Sequence, residues 1–164
     1  MDLDDVRLLY SQSDNLPIHG FDLERGLYGL VKSAKRKIVL CSCEFNSKSD
    51  FMLTQLITEK LKEKCTIEIY GNDLRQLKIF RSSFDSSFLK VYVWKPPAER
   101  SLFHIKSVLI DDTFVYLGSA NLSINAMKNS SEWGITTNSP DLCRSLQEYL
   151  SKLRSCELFE QLEL

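Results

Sequence analysis

The sequence predicts an α/β domain in which helices flank a mixed β-sheet. Two observations indicate this class: predicted strands and helices alternate through the first half of the chain, and the later predicted strands follow one another across short turns. Alternation favours parallel strands joined by helices, whereas short turns require antiparallel neighbours. The length of 164 residues, 43% of them apolar, suits one domain with a substantial core. We therefore predict a single domain over residues 1–164.

The first half of the chain contains four predicted strands and three predicted helices. In chain order they are strand Val6–Tyr10, helix Asp22–Lys35, strand Lys37–Cys43, helix Lys48–Lys62, strand Thr66–Tyr70, helix Leu74–Arg81 and strand Phe88–Trp94. The helices are predicted from apolar residues three and four positions apart, as in Leu23, Leu27 and Val31. The last strand is predicted from the alternation of Leu89, Val91 and Val93 with other residues.

The second half begins with a predicted loop, Lys95–Arg100, because its two prolines fix the backbone and remove hydrogen-bond donors. Three strands and a helix follow, the strands being His104–Ile110, Phe114–Gly118 and Glu132–Thr137. Ser139 and Pro140 predict the start of the last helix, since a capping hydroxyl precedes a proline at the first helical position.

Polar side chains interrupt two of these predicted core strands. His104 and Lys106 are two residues apart and should therefore project from one face of a strand. If Asp111-Asp112 closes a two-residue hairpin, His104 lies opposite Ser119, and Lys106 lies opposite Leu117.

This arrangement gathers groups that suit phosphoryl chemistry. Asn121 continues the face of Ser119, and Gly118 should leave room for a ligand to approach the backbone. A lysine charge with asparagine and serine donors can bind phosphoryl oxygens, and an imidazole can attack phosphorus or transfer protons. Glu132 could accept the second imidazole N–H and fix its tautomer. We expect no metal and no cofactor, with Lys106 taking the place of a divalent cation.

The spacing of these residues forms one pattern, H-x-K-x4-D-x6-G-S-x-N. It consists of His104, Lys106, Asp111, Gly118, Ser119 and Asn121, and the acidic residue Glu132 follows. This pattern resembles the signature of the phospholipase D superfamily, with every spacing kept. A weaker resemblance extends over about Phe21 to Leu153. Two departures are Ser130, where many relatives have asparagine, and the missing glycine before Thr66.

The resemblance implies a phospholipase D-like fold with one motif per chain. Members of this superfamily use two histidines, one from each of two motifs, and form a phosphohistidine intermediate without a metal ion. The chain has two histidines, and His19 lacks a lysine two residues later. The resemblance therefore implies a homodimer that brings together the His104 residues of two copies. Asp111, in the predicted turn, and Gly118 are expected to have structural roles.

The substrate remains open among three alternatives. Small single-motif relatives include bacterial endonucleases, so cleavage of DNA or RNA is the first hypothesis. The second is a lipid phosphodiesterase like the cardiolipin hydrolases, and the third is a non-catalytic nucleic-acid-binding subunit. The complete motif argues against the third. The net charge of −1 differs from that of a strongly basic nucleic-acid binder, so a partner protein could supply part of the grip.

Composition also predicts the cellular environment. The sequence contains no basic segment followed by a long apolar stretch at its start, and no run of 18 apolar residues. Its five cysteines are odd in number and form no CxxC pair. We therefore predict a cytoplasmic protein with reduced cysteines and no membrane span.

Overall fold

The computed structural model describes residues 6–11, 20–45 and 51–163, whose strands form a single mixed sheet of nine. These strands are β1 (Val6–Tyr10), β2 (Phe21–Asp22), β3 (Lys37–Cys41), β4 (Thr66–Gly71), β5 (Leu89–Trp94), β6 (Ser107–Ile110), β7 (Phe114–Gly118), β8 (Trp133–Thr137) and β9 (Phe159–Leu162). Their order across the sheet is β2-β1-β8-β7-β6-β3-β4-β5-β9. The neighbours β3, β4 and β5 are parallel, and the strands on either side of this group, β6 and β9, pair with it in antiparallel fashion.

In the described part of the chain, four α-helices flank the sheet, and capping residues in the sequence mark the starts of three of them. The helices are α1 (Leu23–Ser33), α2 (Phe51–Lys62), α3 (Leu74–Ser82) and α4 (Pro140–Ser155), and a π-helical turn spans Asn125–Asn129. Side chains of Asp22, Asp73 and Ser139 accept hydrogen bonds from backbone amides in the first turns of α1, α3 and α4. The predicted start of the last helix is therefore confirmed.

The sheet separates two hydrophobic cores. In β3, Ile38 and Leu40 belong to the core under α1, α2 and α3, whereas Val39 and Cys41 belong to the core under α4. This division follows from the two-residue period of a strand, which points successive side chains to opposite faces. Because both faces of the central strands are covered, most residues of those strands are apolar, as expected for parallel β-strands.

The predicted α/β class with a mixed sheet flanked by helices is confirmed, and most predicted elements match within a few residues. The strands β2 and β9 were not predicted. β9 follows α4 through Glu157, which has a positive φ of 57° without being a glycine, so no glycine signals the end of the helix. The start of the predicted helix Lys48–Lys62 and the segment around His19 lie outside the described residues.

The predicted strand His104–Ile110 is present, but its predicted start at His104 and its hairpin register are wrong. β6 begins at Ser107, which pairs with Leu117, so the register differs by one residue from the predicted pairing of Lys106 with Leu117. The reason is the turn, which leaves three residues unpaired between Ile110 and Phe114. Asp111 and Asp112 have φ values of 51° and 63°, and the Thr113 amide donates to the Ile110 carbonyl over 2.9 Å.

The prediction that Gly118 leaves room for a ligand beside the backbone is also wrong. A Cβ on Gly118 would meet the hydroxyl of Tyr116, and it would lie 2.8 Å from the Trp133 carbonyl oxygen. A Cβ on Gly134, which pairs with Gly118, would meet the same tyrosine ring. The two glycines therefore make room for the buried Tyr116 ring rather than for a ligand.

Two features bear on the predicted environment. All five cysteines fall in the described part of the chain, and each is a free thiol. Cys156 is exposed and Cys43 is half-buried, while the other three are buried. Across the described residues, no helix combines the length and the apolar character that spanning a bilayer would take.

Candidate active site

His104 and Lys106 form the first part of the site, just before β6 begins. The Lys106 ammonium nitrogen lies 3.3 Å from both ring nitrogens of His104, so it sits equally close to either side of the imidazole. His104 is exposed, and Lys106 is half-buried. Because the two residues precede the regular strand, the strand period does not fix their directions. They meet through their side chains.

Residues that follow β3 support the motif from beneath. The Lys106 Nζ lies 3.5 Å from the Cys43 sulfur, and the Cys43 thiol donates to the Phe103 carbonyl over 3.3 Å. The neighbouring Ser42 is buried, and its hydroxyl accepts the Leu122 amide at 2.9 Å and lies 3.4 Å from Asn121 Oδ1. The end of β3 thus contacts both halves of the motif.

Ser119 and Glu132 form the second part of the site. The Ser119 hydroxyl donates a short hydrogen bond to Glu132 Oε2 and accepts the Trp133 amide at 3.1 Å. The backbone of Glu132 is held by Ser11, whose hydroxyl accepts the Glu132 amide at 2.8 Å. Among the described residues, the hydrogen-bond donor to the Glu132 carboxylate is therefore Ser119 rather than the expected ring of His104. The carboxylate lies against Ser119 because residues 118 and 134 pair at the ends of β7 and β8.

The motif residues are brought to one region by the sheet. The Gly118 amide donates to the Lys106 carbonyl over 3.4 Å, which joins the segment of Lys106 to that of Ser119. Ser42 and Cys43 are sequence neighbours, and they contact Asn121 and Lys106 respectively. The arrangement offers an imidazole, an ammonium group, a hydroxyl and an amide, together with the carboxylate of Glu132, which is hydrogen-bonded to Ser119. This set of groups can bind and attack a phosphoryl group.

Asp111 lies at the opposite end of β6 from His104. Its carboxylate accepts the backbone amides of Lys35, Arg36 and Lys37 at 2.7–2.8 Å. Partial burial would raise the pKa of Asp111. The amide hydrogen bonds and the charge of Arg36 outweigh that effect and lower the pKa below its ordinary value. Asp111 therefore ties the β6–β7 turn to the connection between α1 and β3.

Tyr116 lies beneath the motif backbone with its side chain fully buried. Burial raises the pKa of Tyr116 to about 12; the charge of Glu132 raises it as well, while the Ala120 backbone acts in the opposite direction. The phenol therefore stays neutral at physiological pH, and it serves as a packing group under Gly118.

Three polar residues near the site were missed by the sequence interpretation: Ser42, Cys43 and Asn72. They lie one or two residues after the ends of β3 and β4, and the carboxyl ends of parallel strands are where α/β sheets bind ligands. That rule could have identified them once the strands were predicted. The described residues include no group of three or more His, Cys, Asp or Glu side chains that could bind a metal ion.

The family follows from a comparison with known sequences. A family model described as "Cardiolipin synthase, PLD-like domain" matches residues 27–154, which is more than half of the chain and includes every motif residue. The chain belongs to the phospholipase D-like family. This is a family of phosphodiesterases, and the family match agrees with the resemblance of the motif to the phospholipase D superfamily. Among curated proteins, no sequence matches this chain.

Solved structures share the phospholipase D-like fold of this chain. Nuc from Salmonella typhimurium, a phospholipase D family member, has a TM-score of 0.73 at 15% identity over 97% of this chain and 98% of its own. NucT from Helicobacter pylori has a TM-score of 0.67 at 21% identity, over 80% of this chain and 87% of its own. The phosphatidylserine synthase of Haemophilus influenzae has a TM-score of 0.71 at 20% identity, over 96% of this chain but 40% of its own. At these identities the likeness establishes the fold alone.

Proposed function

We propose that this chain is an endonuclease that hydrolyses phosphodiester bonds of DNA or RNA without a metal ion. The observation that carries the proposal is the contact between Lys106 and both ring nitrogens of His104, at the position where the motif requires a nucleophile beside a fixed positive charge. The ammonium group would stabilise the negative charge that builds on the phosphoryl oxygens in the transition state.

The proposed reaction has two steps. First, an imidazole nitrogen of His104 forms a bond to phosphorus, while the bond from phosphorus to the leaving oxygen breaks. The partner's His104, in its protonated form, gives that oxygen a proton. Second, a water oxygen forms a bond to phosphorus, the phosphorus–nitrogen bond breaks, and the water proton passes to the partner's His104. Both histidines return to their starting states, so no oxidant, reductant or metal is consumed.

Other motif residues would bind and position the phosphoryl group. Lys106, Ser119 and Asn121 supply an ammonium, a hydroxyl and an amide for its oxygens. In this structure the Ser119 hydroxyl donates its hydrogen bond to Glu132, so we propose that Glu132 holds this hydroxyl in place until its proton turns to a phosphoryl oxygen of the bound substrate.

The second histidine must come from outside the motif, and we propose a homodimer as its source. Each chain has one motif, and a twofold axis would place the two copies of His104 around one phosphorus. Large apolar side chains stand exposed next to the site: Leu102, at 66% exposure, and Trp133, at 58%. Their burial against a second copy would favour such an assembly.

A lipid phosphodiesterase is the second candidate function. It is favoured by the family description, which names cardiolipin synthase, and by the phosphatidylserine synthase, whose TM-score is close to that of Nuc. The nuclease is preferred because Nuc matches this chain over nearly the full length of both. Because the net charge of the chain is −1, we propose that local positive groups or a partner protein provide the binding to nucleic acid.

We also propose a cytoplasmic location, supported by the five free thiols.

The test is a panel of single- and double-stranded DNA, RNA and phospholipid vesicles, each incubated with the protein in EDTA. We expect cleavage of a nucleic acid at the same rate with EDTA as with Mg²⁺. His104→Ala should lower kcat by at least about 10³-fold and Lys106→Ala by about 10²- to 10³-fold.

Two matched variants control this experiment. His19→Ala removes the other histidine of the chain, and Lys62→Ala removes an exposed lysine at the end of α2. Both should retain wild-type kcat. Turnover of lipid alone would support the second candidate, and nucleic-acid binding without cleavage would support a non-catalytic subunit. Loss of activity in His19→Ala would refute the pairing of two His104 residues.

A further inference from the structure

His104 lies in a segment without regular pairing. Residues 101–106 are neither helix nor strand, and β6 begins only at Ser107. The backbone that carries the imidazole therefore lacks the ladder of hydrogen bonds that would hold a residue inside the sheet. Since backbone polar groups in folded proteins are almost always paired, the partners of this segment must come from elsewhere.

Asn72 provides these partners to Phe103, the residue before His104. Its side-chain Nδ2 donates to the Phe103 carbonyl over 2.7 Å, and the Phe103 amide donates to Asn72 Oδ1 over 2.8 Å. The side-chain amide thus pairs with the backbone as a peptide group on a neighbouring strand would. Asn72 directly follows β4, so the central sheet fixes its position.

The rest of Phe103 is held as firmly. Its side chain is 3% exposed, and its ring lies 5.0 Å from that of Phe159 and 6.0 Å from that of Trp94. The Cys43 thiol donates to the same carbonyl that Asn72 contacts. Phe103 is therefore an anchor with a fixed ring and a fixed backbone, and His104 is attached directly to it.

We propose that Asn72 is a positioning residue that keeps His104 in place beside Lys106. The inference rests on the proposed function, because it assigns the purpose of the contact to the chemistry of His104. Reacting groups must be held within a fraction of an ångström of their productive geometry, and a displacement of about 1 Å can lower a rate by about 10²-fold. Loss of both Asn72 hydrogen bonds would release the backbone on one side of the imidazole.

The kinetic test compares Asn72→Ala, Asn72→Asp and the wild type on the best substrate of the panel. We expect Asn72→Ala to lower kcat about 10- to 100-fold and to leave KM within about twofold, since the phosphate-binding residues stay in place. Asn72→Asp keeps the acceptor for the Phe103 amide but loses the donor to the Phe103 carbonyl. We therefore expect its kcat to stay close to that of Asn72→Ala. Asn138→Ala, which removes a half-buried asparagine between β8 and α4, is the matched control and should leave kcat unchanged.

A spectroscopic readout separates this inference from the proposed function. The chain has two histidines, so the ring-proton NMR signals can be assigned with His104→Ala. Asn72→Ala should shift or broaden the His104 signal and leave that of His19 unchanged. An unchanged His104 signal, or wild-type kcat in a variant with lowered unfolding midpoint, would show that Asn72 serves stability alone. Absence of turnover in the wild type would instead overturn the proposed function, while the NMR comparison would still decide whether Asn72 positions His104.

Discussion

At the scale of single residues, the site depends on the packing of Tyr116 against two glycines. The fully buried ring occupies the space that side chains at residues 118 and 134 would need. Gly118 begins the Gly118-Ser119 segment of the motif, and its amide bonds to the Lys106 carbonyl. A group added at this position would push on the backbone that joins the two parts of the site.

This packing predicts a cost for the smallest substitution. Gly118→Ala should lower the free energy of unfolding by about 1–3 kcal/mol, because the new methyl group overlaps the Tyr116 hydroxyl and the Trp133 carbonyl. In a Tyr116→Phe background, which lacks the hydroxyl, Gly118→Ala should cost less. Urea unfolding of the two single variants and the double variant measures this coupling. Additive effects of the two substitutions would contradict the contact.

Motif spacing identified His104 and Lys106, which meet in the candidate site, but not the residues that hold them. His104 and Lys106 were predicted to lie together, and they do, although the strand face that motivated the prediction is absent. The contacts of Ser42 and Asn72 join residues 79 and 31 positions apart. Contacts of this kind depend on how the strands assemble, which no local pattern in the sequence encodes.

At the scale of elements, the β6–β7 hairpin is fixed by a side chain in its turn. Asp111 reaches back to three successive amides before and within the start of β3, and the two strands β3 and β6 pair directly. The turn residues therefore set the position of β6 along β3 as well as closing the hairpin. The sequence indicated a turn at these residues, but the third unpaired residue, Thr113, could not be predicted from it.

The hydrogen bonds of Asp111 predict a pH-dependent contribution to stability. Its folded-state pKa is lowered, so the carboxylate stabilises the fold above its unfolded-state pKa of about 4, and this contribution is lost as the pH falls through the folded-state value. Asp111→Asn should cost about 1 kcal/mol at pH 7, a modest figure because the group is partly exposed. The difference from wild type should shrink below about pH 4.

Denaturant unfolding at pH 7, 5 and 3.5 provides the measurement. Asp112→Asn is the matched control, since Asp112 shares the turn and a positive φ, and its ion-pair contact is with Lys37 at 3.7 Å. The control should cost less at pH 7. Equal costs for the two variants, or a cost for Asp111→Asn that grows as the pH falls, would rule out this role.

At the scale of the whole molecule, the proposed assembly makes a prediction about mixed subunits. After subunit exchange in an equal mixture of wild type and His104→Ala, about a quarter of the dimers carry two intact copies of His104. Activity should therefore fall to about a quarter of that of wild-type protein at the same total protein concentration. Independent active sites would give about half. Sedimentation of the wild type should show a dimer, and an active monomer would refute the shared site.

The fold class was predictable because the alternation of strands and helices in residues 22–94 is strong and the helix caps are explicit. The sheet order was not predictable. β1 and β8 are 123 to 131 positions apart in their paired residues, for example Tyr10 with Trp133 and Val6 with Thr137. In the sequence, the edge strand β9 cannot be told from a continuation of the leucine-rich helix before it. The helix ends near Glu157, which adopts a positive φ although it is not a glycine, so no glycine marks the end.

The position of β9 has a consequence for when the protein can become active during synthesis. Phe159 supplies one wall of the aromatic cluster around Phe103, at 5.0 Å from that ring, and also contacts Tyr70 and Trp94. A ribosome must therefore translate beyond residue 162, and that stretch must clear the exit tunnel, before the support behind the imidazole is complete. A nascent chain that already carries every motif residue would still lack this wall, so under the proposed function we expect hydrolysis to begin only after β9 has joined the sheet.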